Sequence, residues 1–223
     1  MIISDKILVF DLDDTLYNEF DFVVSGFFNV SKIINNKFNI KTDESYKYLL
    51  NYFKKYGRAK IFDNFLNKHN IYSKKNLKLC INIYRYSNRN ISIKPEARNI
   101  ISKLYKKKNL YLVTDGNKIV QNHKIKLLKI NKFFKKIYIT HNYGIKYSKP
   151  SLYCFKKICQ IENISFNNLV YIADDPNKDF INLNNKNAIT IRILEGRFKN
   201  FNFKKAYDAK IKIKTFKKLL NYL

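Results

Sequence analysis

KILVFDLDDTLY, residues 6–17, decides the fold. Its first half is a short apolar run that stops at a charged tip, Asp11. A strand buried on both faces reads this way, as a continuous run rather than an alternation. Related runs follow at 109–114 (NLYLVT), 136–140 (KIYIT), 169–173 (LVYIA) and 188–193 (AITIRI), with a weaker sixth at 209–213. Helix-like stretches lie between most of them. Residues 119–130 carry apolar side chains at 119, 120, 125, 127, 128 and 130, and residues 151–161 follow Pro150, a favoured helix start. Strands alternating with helices predict an α/β fold, a Rossmann-like parallel sheet covered on both faces.

Residues 18–94 break that rhythm. They contain no buried parallel-strand run and are rich in aromatic residues, among them Phe20, Phe22, Phe27, Phe28, Tyr48, Tyr52 and Phe53. The expected organisation is a core of residues 1–17 and 95–223 with a helical insert at 18–94. Arg58, Arg85 and Arg89 are insert cations able to meet a distal anion, although surface exposure is the commoner fate of arginine. Tyr84 and Tyr86 flank Arg85 as if on one short extended segment.

The chain has 223 residues, three cysteines and a formal charge of +27. Cys80, Cys154 and Cys159 lack metal-ligand spacing, and no signal peptide or long apolar span is read, so the expected compartment is a reducing cytoplasm. The positive charge has two readings. One is a polyanionic partner such as nucleic acid. The stronger is compositional drift, because the lysines are dispersed among Asn, Ile, Tyr and Phe along the whole chain. In either case a positive field draws in a phosphorylated substrate.

Against that background the acidic residues are concentrated. Of 12 aspartates, seven occupy three strand tips: Asp11, Asp13 and Asp14; Asp115; and Asp174, Asp175 and Asp179. Parallel strands end on one edge, where ligands bind. Carboxylates gathered there repel one another unless a cation intervenes, and an all-oxygen donor set favours Mg²⁺. An aspartate at such a tip can attack phosphorus, and a second one two residues on can act as acid and base.

These segments resemble the motifs of the haloacid-dehalogenase superfamily. VFDLDDTLY (9–17) is similar to its DxDxT motif, LVTDGN (112–117) to its second motif, Lys149-Pro150 to its third and YIADDPNKDF (171–180) to its D-x4-D fourth. The resemblance implies Asp11 as nucleophile, Asp13 as acid–base and Lys149 as the neutralising cation. It implies phosphate binding by Thr114; Asp115, Gly116 and Asn117 beside it are further phosphate-binding candidates, Asn117 through its backbone or side chain by analogy with anion nests. It also implies Mg²⁺ held by Asp11, Asp174 and the backbone carbonyl of Asp13, with Asp179 in the outer shell or orienting Lys149. Ala173 stands where the family has Gly, and Asp175 where Asn or Ser is common. The insert would be a helical cap of the kind that closes over small substrates. Asp13 favours phosphoryl transfer, because dehalogenases lack that second carboxylate. The expected activity is hydrolysis of a small phosphomonoester, a sugar phosphate or a nucleotide. A phosphosugar mutase and a nucleic-acid end-phosphatase are the alternatives.

Overall fold

The computed structural model describes Ile3 and residues 5–222. Six strands form one parallel sheet: β1 (Ile7–Phe10), β2 (Leu110–Thr114), β3 (Lys136–Ile139), β4 (Leu169–Ala173), β5 (Ile189–Ile193) and β6 (Ile211–Ile213). Their order across the sheet is β3-β2-β1-β4-β5-β6. The chain thus winds outward in one direction from β1 through β3, then returns beside β1 at β4 and winds the other way. The reversal lies between β1 and β4, so the crevice at their carboxyl ends is the natural binding site.

The expected α/β architecture is present, and burial explains the runs. Leu8, Val9 and Phe10 of β1 are all fully buried, as are Tyr171 of β4 and Tyr111 of β2. On one face Val9, Tyr111, Val113 and Tyr171 pack with Phe155 and Ile158 of a helix spanning Tyr153–Glu162. On the other, Phe10 stacks on Phe216 and meets Phe134 edge-on. Each such aromatic contributes on the order of 2 kcal/mol by burial.

Two local expectations need correction. Pro150 does not start its helix: it occupies a turn, and the helix begins at Tyr153. Tyr84, Arg85 and Tyr86 are helical rather than extended, because the polar–apolar spacing there continues a helix from Lys74 to Tyr86.

The chain divides into two compact units. One comprises the residues through Glu19 and from Ser92 onward; the other is Phe20–Ile91. The second unit is built from α1 (Glu19–Phe38), α2 (Thr42–Tyr56), α3 (Ile61–Lys68) and α4 (Lys74–Tyr86). The buried side of α1 carries Phe22, Val23, Gly26, Phe27, Val30 and Ile34, a helical stripe. Phe27 lies at the centre of an aromatic cluster with Phe53, Phe62 and Tyr84. Gly26 is required there, since a Cβ would sit 2.8 Å from both Tyr84 and Arg89. Arg89 is buried: its Nη1 donates to the Phe22 carbonyl at 2.6 Å and its guanidinium lies over the Phe22 ring. It serves packing inside this unit. The remaining helices, α5 (Pro95–Leu104), α6 (Lys118–Leu128), α7 (Tyr153–Glu162) and α8 (Ile181–Asn185), belong to the sheet unit. Among the described residues no helix is long and apolar enough to cross a membrane.

Candidate active site

The carboxyl ends of β1, β2 and β4 bring the sequence-distant aspartates together. Asp11 follows β1 directly, and its backbone N–H donates to the Ile172 carbonyl of β4 at 2.9 Å. That bond fixes Asp11 beside the strand that leads into Asp174. One carboxylate oxygen from each of Asp11, Asp174 and Asp179 lies within 4.8 Å of the others, and all three residues are buried.

Lys149 enters from the loop after β3. Its Nζ lies 2.7 Å from Asp11 Oδ1 and 2.7 Å from Asp179 Oδ1. The same Nζ donates to the Tyr171 hydroxyl at 2.9 Å, and that hydroxyl donates onward to Asp179 Oδ1 at 3.1 Å. Asp179 Oδ2 accepts the backbone N–H of Asp175. Both oxygens of Asp179 are thereby engaged, and its contacts hold Lys149 in place. Burial works against the charge on Lys149, yet Asp11 and Asp179 together lift its pKa well above the lysine range.

Asp11 is dominated by burial, which pushes its carboxyl up to about 7 against the pull of Lys149. Asp174 is also raised, well above the carboxylate range, first by burial and then by Asp11 and Asp179. Thr15 Oγ1 donates to Asp174 at 3.4 Å, and among the described residues no Lys or Arg pairs with it. A buried carboxylate among like charges, with no ion-pair partner of its own among the described residues, calls for a positive ion. The all-oxygen donors fit a hard divalent cation such as Mg²⁺.

Asp13 lies in a different environment. Tyr17 Oη donates to its Oδ1 at 2.5 Å, Lys124 Nζ to Oδ1 at 2.6 Å and Gln121 Nε2 to Oδ2 at 2.8 Å. Burial alone would raise its pKa, but Lys124 above all, with Tyr17 and Gln121, pulls it down to about 2. Lys124 is 2 % exposed and also pairs with Glu19 at 3.1 Å. Sequence reasoning missed Lys124 and Gln121. Their signal was positional: they lie three apart on α6, in line with buried Ile125 and Leu128, so two polar side chains occupy core-facing positions.

The loop after β2 is organised around its own backbone. Thr114 ends β2, and its Oγ1 accepts from Gln121 Nε2 at 2.5 Å. Asp115 Oδ1 accepts from Thr140 Oγ1 at 2.5 Å and from the Lys149 backbone N–H at 3.1 Å, so this carboxylate straps down the lysine loop. Gly116 has φ +134, a conformation that side-chain-bearing residues rarely adopt. The Asn117 side chain caps α6, accepting from Ile119 and Val120 N–H. Asp175 caps a turn through Asn177 N–H and Nδ2. Asp14, at φ 53, accepts from the backbone N–H groups of Glu19 and Arg197.

The switch-point crevice of the parallel sheet thus gathers a buried carboxylate, a lysine paired to it and two further aspartates. The chain belongs to the haloacid dehalogenase-like hydrolases, whose family model matches residues 8–193. It is 30% identical over 203 residues to a glyceraldehyde 3-phosphate phosphatase of Methanocaldococcus jannaschii, covering 87% of each chain. It is 26% identical to the protein of the same name from Pyrococcus furiosus, covering 86% of this chain and 82% of that one. A HAD-hydrolase from Bacillus subtilis, solved bound to magnesium, shares the fold with a TM-score of 0.69 at 17% identity, covering 97% of both chains.

Proposed function

We propose that this enzyme hydrolyses the phosphate ester of a small phosphorylated sugar, with Asp11 as nucleophile and Mg²⁺ as cofactor. The observation that carries the reading is the buried Lys149–Asp11 pair beside Asp174. The phosphatase names of relatives that match most of this chain support a phosphoric monoester hydrolase acting on a small sugar phosphate.

In the proposed reaction the Asp11 carboxylate attacks phosphorus and the bond to the ester oxygen breaks. Asp13 gives a proton to that oxygen, then takes one from the water that hydrolyses the aspartyl phosphate. Its ionised resting state suits the second transfer; the first requires it to be protonated when substrate is bound. Lys149 balances negative charge at Asp11 and on the transferring group, and the Thr114 hydroxyl donates to a phosphate oxygen. Asp11 and Asp174 would hold Mg²⁺, with Asp179 keeping Lys149 oriented beside them. When bound, the ion offsets carboxylate repulsion and charge on the phosphoryl oxygens. The helical unit is proposed as the part that selects the substrate.

The test is phosphate release from glyceraldehyde 3-phosphate and an aryl phosphate, with Mg²⁺ or with chelator. Activity that needs Mg²⁺ and disappears in Asp11→Asn supports the reading. Activity unchanged by that substitution eliminates it.

A further inference from the structure

The mechanism above uses Asp13 but leaves unexplained why two polar residues of α6 point into the core. Lys124 Nζ reaches Asp13 Oδ1 at 2.6 Å while nearly excluded from solvent. Gln121 Nε2 lies within hydrogen-bond distance of Asp13 Oδ2, Thr114 Oγ1 and the Asp115 carbonyl, at 2.8, 2.5 and 3.2 Å. One residue therefore ties the acid–base carboxylate to the phosphate-binding hydroxyl, and the other grips the opposite oxygen of that carboxylate. Burying a lysine is costly, and packing alone is served better by an apolar side chain of similar volume. A lysine on one oxygen of the carboxylate and a glutamine amide on the other have a geometric use: together they leave Asp13 one rotamer.

Resting on the phosphatase reading, we infer that Lys124 and Gln121 are positioning residues that fix the Asp13 carboxylate for proton transfer to the leaving oxygen and, in the second step, from the attacking water. Neither is assigned to touch substrate. Their effect should follow how much the leaving group needs a proton. An alkoxide leaving group needs one; a nitrophenolate does not. Proton transfer of this kind contributes roughly 100- to 10,000-fold, and a misplacement of about 1 Å forfeits much of it.

The experiment compares kcat/KM, which reports the step that expels the leaving group, on an alkyl phosphate and on p-nitrophenyl phosphate for wild type, Lys124→Met, Lys124→Arg and Gln121→Leu. Lys124→Met and Gln121→Leu should each lose at least about tenfold more on the alkyl ester than on the aryl ester, with KM little changed. Lys124→Arg, which keeps the charge, should recover part of the alkyl-ester rate. Circular dichroism melts establish that each variant is folded; if Lys124→Met is not, Gln121→Leu and Lys124→Arg decide. Equal losses on both esters, in an enzyme that Asp11→Asn inactivates, overturn the inference alone. A wild type silent on both esters, or indifferent to Asp11→Asn, overturns the phosphatase reading and this inference with it.

Discussion

Lys149 Nζ stands equidistant, at 2.7 Å, between Asp11 Oδ1 and Asp179 Oδ1. All three side chains are at most 4% exposed. Removing the cation leaves two buried carboxylates facing each other without it. Lys149→Met should therefore cost about 3 kcal/mol or more of stability, as breaking a buried pair does, and about 100-fold or more in kcat. Urea denaturation and steady-state kinetics measure both. A Lys149→Met protein as stable as wild type would mean that the pair carries no such burden.

Asp174 gives the opposite sign when no metal is present. Its pKa is raised in the folded chain, from an ordinary value of 3.8. Between those two values the folded state binds more protons than the unfolded one. Stability contributed by the protonated form is present at low pH and is lost as pH rises through the raised pKa. Asp174→Asn removes this loss, so in chelator the variant should melt increasingly above wild type as pH rises from about 4. Added Mg²⁺ should reverse the order, raising the wild-type melting temperature but not that of Asp174→Asn. Melts with and without the ion across pH give the answer. A Mg²⁺ shift equal in both proteins would contradict the assigned site.

Asp13 behaves the other way again. Lys124, Tyr17 and Gln121 depress its pKa to about 2. The stability this contributes is present above about 3.8 and is lost as pH falls through about 2. Asp13→Asn should be less stable than wild type near neutrality by about 2 kcal/mol, and the gap should close on acidification. Denaturation midpoints between pH 5 and 2 test this. A gap that stays constant with pH would show that the carboxylate's charge is not what stabilises.

Gly196 packs the segment after β5 against the loop after β1. Its φ is +72, and a Cβ would lie 2.6 Å from the Asp14 Cβ. Gly57 has a similar φ, +76, but nothing within 4 Å of a Cβ. Gly196→Ala should thus cost about 1–3 kcal/mol more than Gly57→Ala, the difference being the clash rather than the backbone strain. Paired urea titrations of the two variants separate the effects; equal costs would remove the claim that Asp14 is wedged there.

Much of this was legible in the strands. LVYIA and LYLVT are buried along their whole length in β4 and β2, so hydrophobicity alone marked them. The edge was harder to read. β6 has only three residues, with Lys212 exposed, because an edge strand is half-solvated and its pattern is diluted. α6 shows the deeper limit. Ile119 looked like part of its apolar face yet is 37% exposed, while Gln121 and Lys124 are buried. Periodicity identifies a helix by its apolar residues, so a face turned toward a polar site is invisible to it. Arg192 escaped notice for the same reason. Within the apolar-looking TIRI run it is fully buried, paired with Asp208 and donating to the Phe198 and Phe201 carbonyls. The aspartate tips, by contrast, stood out because acidic residues are scarce in a chain of +27.

In the proposed reaction Asp11 carries the phosphoryl group between the two steps. The direct measurement is an acid quench within a single turnover of ³²P-labelled substrate, followed by peptide mapping. Label is expected on the peptide containing Asp11, absent in Asp11→Asn and chased by unlabelled substrate. Rapid turnover with no protein-bound label at any quench time, or label on a different residue, would contradict it.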